Sequence, residues 1–146
     1  MNRRDSLIGA GAALFAAVQT SALAAEAVHD HSHMHHEAPL QGLLAATADC
    51  VVKAQSCLAH CLVLLGDGDK VMAECAKTVN QTIAMCSALQ ALSAQDSKLV
   101  PAMAKLTQEA CQICEKECRK HEKHAPCKAC ADSCAACAKE CKAIAA

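Results

Sequence analysis

The sequence has no tryptophan, no tyrosine and one phenylalanine, Phe15. Phe15 lies in an N-terminal stretch that reads as a removable export signal, so the mature chain has no Phe, Tyr or Trp. Large aromatics normally dominate core burial, and something else must fill or hold this core. Charge of one sign is also lacking. The chain carries 14 basic and 15 acidic residues, and removal of Arg3, Arg4 and Asp5 with the signal leaves 12 and 14. That balance argues against a nucleic-acid partner, whose usual footprint is a basic surface. Long apolar runs are missing as well. Leu7 to Val18 is short for a membrane span of ~20 residues, no other stretch comes close, and no cysteine follows the signal to take a lipid. No membrane span is expected.

What is present begins with that signal, residues 1–24. Arg3-Arg4 supplies the positive start and Ala22-Leu23-Ala24 a small-x-small cleavage site. The twin arginine in Asn-Arg-Arg-Asp-Ser-Leu-Ile suggests the pathway that exports folded proteins, and so the periplasm or another extracytoplasmic compartment. Residues 25–39 form a leader without apolar periodicity that holds five of the eight histidines. Residues 40–146 carry all 13 cysteines.

A small exported chain rich in cysteine usually means a disulfide scaffold. Three observations turn against that here. Thirteen is odd. Disulfide scaffolds are loop-rich, whereas this chain is rich in Ala, Leu, Lys and Glu, all good helix formers. The third is spacing: in CKACADSCAACAKEC, Cys127 to Cys141, five cysteines stand three, four, three and four apart.

Four helices are predicted, over about Leu40–Leu65, Asp69–Leu92, Lys98–Lys120 and Cys127–Ile144. They are parted by Gly66-Asp67-Gly68, by Ser93 to Ser97 and by His124-Ala125-Pro126. Pro101 is tolerable in a first turn. Short links between helices of similar length make antiparallel neighbours, so the fold class is all-α, an up-down-up-down four-helix bundle. The inward seam reads Leu43, Thr47, Cys50, Ala54, Cys57, Cys61 and Leu65 on the first helix. It continues as Met72, Cys75, Val79, Thr82, Cys86 and Leu89 on the second. The third adds Val100, Ala104, Thr107, Cys111, Cys114, Cys118 and His121. The fourth adds Cys127, Cys130, Cys134, Cys137, Cys141 and Ile144. This is the a/d pattern of a bundle. The seam threonines are small, and each hydroxyl can bond back to its own helix. At ~100° per residue every helix keeps its cysteines within a stripe about 80° wide, so the thiols line the bundle axis.

One or two such cysteines would be ordinary core packing; thirteen on the seam and none off it go beyond packing. Neighbours three or four apart on a regular helix are not set for S–S geometry, though bonds between helices stay open. A catalytic thiol needs a base and exposure, which the seam does not offer, so no enzyme is expected. Soft thiolates select Cu(I), Zn(II) or iron–sulfur clusters. Zn(Cys)₄ carries a formal charge of −2, costly to stack in an apolar tube. One Cu(I) per shared thiolate is neutral, so multiple Cu(I) ions suit the tube better. Cys111-x₂-Cys114-x₃-Cys118 matches only part of a ferredoxin run. A zinc or cadmium detoxification protein and a disulfide-linked redox or structural helical protein remain as alternatives.

With these residues in view, the sequence resembles the exported copper storage proteins of methane-oxidising and other bacteria. The resemblance rests on Cys57-Leu58-Ala59-His60-Cys61, on Cys111-Gln112-Ile113-Cys114-Glu115-Lys116-Glu117-Cys118, and on Cys127-Lys128-Ala129-Cys130 running on to Cys134, Cys137 and Cys141. It implies Cu(I) held by Cys50, Cys57, Cys61, Cys75, Cys86, Cys111, Cys114, Cys118, Cys127, Cys130, Cys134, Cys137 and Cys141. It also implies a homotetramer and a reservoir for copper-requiring enzymes such as methane monooxygenase, reached directly or through a chaperone. Copper is expected to enter where the first and third helices start. His33, Met34, His35, His36, Met85 and Met103 are candidates there. His60, His121 and His124 read as surface or helix-end residues, and Met72 as core at the far end.

Overall fold

The computed structural model describes residues 38–145, with side chains from Leu40 onward. The stretch read as an export signal and the leader histidines, with His33, Met34, His35 and His36 among them, lie outside the described residues.

Four helices form: α1 Ala38–Gly66, α2 Ala73–Ser93, α3 Val100–Arg119 and α4 Ala125–Ile144, with a 3₁₀ turn at Lys70–Met72 leading into α2. The α1–α2 turn uses Gly68 at φ 93°, a left-handed backbone that glycine adopts without a Cβ clash. Asp69 caps the 3₁₀ turn by accepting from the Val71 amide at 3.3 Å. Pro101 sits in the first turn of α3 as expected. Pro126 does not break the chain: it lies in the first turn of α4, with His124 as the preceding cap residue. A proline at that position gives up an amide that has no helical partner anyway.

Each helix packs its backbone closely on its sequence neighbours and α1 also on α4; among the described residues the diagonal helices meet only through side chains at the axis. With links this short, that is the antiparallel up-down-up-down bundle. The seam is buried almost as the spacing predicts, and all 13 cysteines have no exposed surface. Leu65, His121 and Ile144, at the ends of the seam, are only partly covered.

Two seam threonines bond back to their own helices. Thr47 donates to the Leu43 carbonyl at 2.9 Å and Thr82 to that of Thr78 at 3.0 Å. Thr107 departs from the expectation and donates across to the Met85 carbonyl of α2 at 3.5 Å. Outside the core, Arg119 of α3 donates to Asp132 of α4 at 2.7 Å.

The stretch Leu40–Gly66 is long and apolar enough, by length and composition alone, to cross a bilayer. This corrects the expectation that no stretch beyond the signal comes close. Val52, Leu62 and Val63 raise its hydropathy from the outer face. Its inner face supplies the bundle core, as a core helix does.

Candidate metal centre

The antiparallel order gives the bundle two unlike ends. Where α1 and α3 start and α2 and α4 finish, the axis is filled by Leu43, Leu89 and Val100 together with Thr47 and Ala104, all buried. Cys141 is the thiol that reaches furthest toward this apolar end. At the other end, beside the α1–α2 and α3–α4 turns, Cys61, Cys75, Cys118 and Cys127 come up to the last layer of the helices.

Between these limits the sulfurs form a column. From the turn end, Cys57 lies 3.7 Å from Cys127, Cys61 3.6 Å from Cys75, and Cys75 3.6 Å from Cys118. Cys114 lies 3.9 Å from both Cys118 and Cys130. Further along, Cys50 is 3.8 Å from Cys134, and Cys86 is 3.9 Å from both Cys111 and Cys137. Cys137 is 3.9 Å from Cys141. An S–S bond is ~2.05 Å long, and every one of these thiols is free.

Four groups of sulfurs lie mutually within 4.8 Å: Cys50/Cys86/Cys111/Cys137, Cys57/Cys61/Cys75/Cys127, Cys57/Cys118/Cys130 and Cys114/Cys130/Cys134. Cys57 and Cys130 each belong to two groups, as bridging thiolates require. The oxygen ligands that hard cations need are missing from these groups, so the donor set is soft.

Burial and mutual hydrogen bonding set the protonation. Desolvation pushes the Cys61 and Cys127 thiols up. For Cys75, a hydrogen bond from Cys118 pulls down, but the bond to Cys57 and burial outweigh it and leave the thiol pushed up to about 11. Cys118 rises because its proton is shared toward Cys114, and Cys134 because its own is shared toward Cys111. Cys50, Cys57 and Cys114 run the other way. Cys111 and three further thiols can donate to Cys50, while Cys118 leads the donors to Cys57 and Cys114. At these sulfurs, and at Cys141, hydrogen bonds from neighbouring thiols favour the thiolate.

The other candidates fall elsewhere. Met85 lines a groove of about 380 Å³ on the outer face between α2 and α3, with Leu106 and Ile113. Met103 is partly buried against the core. The structure does not bring these two methionines together as a port, and the end they were assigned to is filled by aliphatic side chains.

The histidines set aside from the sequence are better placed. His60 and His124 rings lie 4.8 Å apart, and His60 Nε2 is buried without a hydrogen-bond partner. His60 follows Cys57 by three positions and His124 precedes Cys127 by three, so packing of α1 on α4 brings the rings to the turn end above that thiol pair. His121 is 12% exposed and faces Glu117, Nε2 to Oε1 3.7 Å. Met72, fully buried, stands one turn before Cys75. The sequence signal was the three-residue offset of each histidine from a seam cysteine.

Comparison with known proteins follows the same lines. A family described as Csp, copper storage protein, matches residues 35–146. Among solved structures, apo-Csp3, copper storage protein 3 from Bacillus subtilis, is 27% identical with a TM-score of 0.65, over 73% of this chain and 98% of that one. The Cu(I)-bound copper storage protein BsCsp3 is 25% identical with a TM-score of 0.67, over 74% and 99%. No curated protein sequence matches the chain.

Proposed function

The chain belongs to the copper storage protein family, and from that premise we propose that it stores multiple Cu(I) ions on the thiolates of its 13 core cysteines. The observation that carries this reading is the sulfur column itself: soft donors only, fully buried, in overlapping groups that share Cys57 and Cys130. A Cu(I)-bound structure among the similar proteins supports the choice of metal. Charge supports it too, since one Cu(I) per shared thiolate leaves a dry core neutral, whereas stacked Zn(Cys)₄ sites would not.

The chemistry is ligand exchange. An incoming Cu(I) replaces a thiol proton, and the proton leaves to solvent, so uptake releases protons and weakens in acid. The family's description as copper storage proteins supports a store rather than an enzyme. Copper enters at the turn end, where the thiols reach the last helical layer and where His60, His124 and the Met72 thioether offer further soft or borderline donors. The twin-arginine signal would place the store outside the cytoplasm. The homotetramer and a recipient such as methane monooxygenase belong to this proposal on the strength of the resemblance. Loading the reduced protein in parallel with Cu(I) and Zn(II), followed by desalting and metal analysis, tests it. Copper well in excess of zinc per chain is expected; zinc retained at one ion per four thiols, with little copper, would favour the detoxification reading.

A further inference from the structure

The thiols do not form one evenly connected column. Cys50, Cys86, Cys111 and Cys137 make one group, with Cys141 attached to Cys137 at 3.9 Å. Seven thiols lie on the turn side, joined through Cys57, Cys75, Cys114 and their partners. Between the two sets α1 and α2 supply no sulfur. Ala54 separates Cys50 from Cys57, and Val79 and Thr82 separate Cys86 from Cys75; all three spacers are fully buried. The Thr82 hydroxyl is already committed to the carbonyls of Thr78 at 3.0 Å and Ala110 at 3.3 Å. No sulfur hydrogen bond joins Cys111 to Cys114, or Cys50 to Cys57, among the described residues.

Cys134 alone spans this waist. It lies 3.8 Å from Cys50 on one side and within 4.8 Å of Cys114 and Cys130 on the other. Cys111 is a further neighbour. Given the copper-storage reading above, we propose that Cys134 is the single relay thiol between two copper compartments, a turn-side pool filled first and an inner pool of five thiols filled through it. Each hop forms a Cu–S bond to the incoming sulfur and breaks one behind it. The proton lost by the incoming thiol passes to the thiolate left behind, so the copper stays Cu(I) and no oxidant or reductant is needed. A relay must be a ligand, and neither the alanine nor the valine beside it can be one.

The test is stopped-flow Cu(I) uptake by the reduced full-length mature protein, followed by thiolate-to-copper absorbance. Wild type, Cys134→Ala, Cys134→Ser and Cys130→Ala are compared, with helicity checked by circular dichroism. Cys130→Ala removes one thiol but leaves the turn-side pool joined to Cys134 through Cys114. Wild type should load in one phase, and Cys130→Ala, which lacks one bridging ligand, sets the loss of capacity and rate expected from removing a single thiol away from the waist. Both Cys134 variants should show a second phase, about tenfold slower or more, a factor equal to ~1.4 kcal/mol of barrier. That phase should carry the share of signal belonging to the inner five thiols.

A second readout needs no variant. In wild type loaded briefly, then unfolded in denaturant containing an alkylating agent and mapped by mass spectrometry, Cys50, Cys86, Cys111, Cys137 and Cys141 should be modified while bound copper protects the turn-side thiols. Single-phase loading of folded Cys134 variants at the Cys130→Ala rate, or equal protection of both pools in wild type, would overturn the relay. If wild type takes up no copper at all, the storage reading itself fails, a separate result.

Discussion

Leu89→Ala is the substitution that best tests how a core without large aromatics stays folded when empty. Leu43, Met72, Leu89 and Val79 are the largest fully buried side chains; threonines and cysteines follow. Leu→Ala in a core costs ~2–5 kcal/mol, depending on how far the site can collapse. Collapse is poor here. Thr47 in the same layer is held by hydrogen bonds to the Leu43 and Leu44 carbonyls at 2.9 and 3.0 Å, and Ala104 has only a methyl group, with no rotamer that could swing inward. A cost of about 3–4 kcal/mol follows, a large share of the ~5–15 kcal/mol that holds a domain together. At ~4–8 °C per kcal/mol for a domain this size, the melting temperature should fall by roughly 12–30 °C. The assay is thermal unfolding of the metal-free, reduced protein by far-ultraviolet circular dichroism. Leu106→Ala serves as control, because Leu106 is 51% exposed and should cost no more than ~0.5 kcal/mol. If Leu89→Ala melts within a few degrees of wild type, or Leu106→Ala costs as much, the apolar end is not what anchors the empty bundle.

Two further outcomes are expected. Above about pH 8.5 unfolded thiols ionise, while buried Cys61, Cys127 and Cys75, the last pushed up to about 11, keep their protons. The unfolded chain then binds fewer protons than the folded one, so the stability of the metal-free protein falls as pH rises. Cys75 alone contributes on the order of 3 kcal/mol by pH 11. Reductive melts at pH 8 and pH 10.5 check this, and an unchanged or higher melting temperature at the alkaline point would contradict it. His60→Leu removes a buried nitrogen that has no partner, so it should leave the empty protein as stable or raise it by roughly 1 kcal/mol. The same variant should slow copper uptake; uptake at the wild-type rate would remove His60 from the port.

The seam was legible in the sequence because a bundle has one period and cysteine marks it: the spacing at Cys127, Cys130, Cys134, Cys137 and Cys141 already defines the inward stripe of α4. Local exceptions were harder to see. Pro126 reads as a breaker in isolation, yet a first-turn proline costs the helix nothing it had. Thr107 turned to α2 because the neighbouring carbonyl came within reach, a fact of packing rather than of sequence. The juxtaposition of His60 and His124 depends on the α1–α4 contact, which joins residues far apart in the chain. The waist at Cys134 likewise follows from the heights at which four helices align.

The most direct measurement is an anaerobic titration of reduced, metal-free protein with Cu(I), followed by thiolate-to-copper charge-transfer absorbance against a competing chelator. The chain has no tryptophan or tyrosine to obscure that signal. With 13 buried, free thiols, 12 of them in groups that could hold a metal ion, the absorbance should keep rising beyond about ten equivalents, near one Cu(I) per shared thiolate. A break at one to about three equivalents, the number of four-thiolate sites that 13 cysteines could form, would contradict the filled column and return the choice to zinc-type sites.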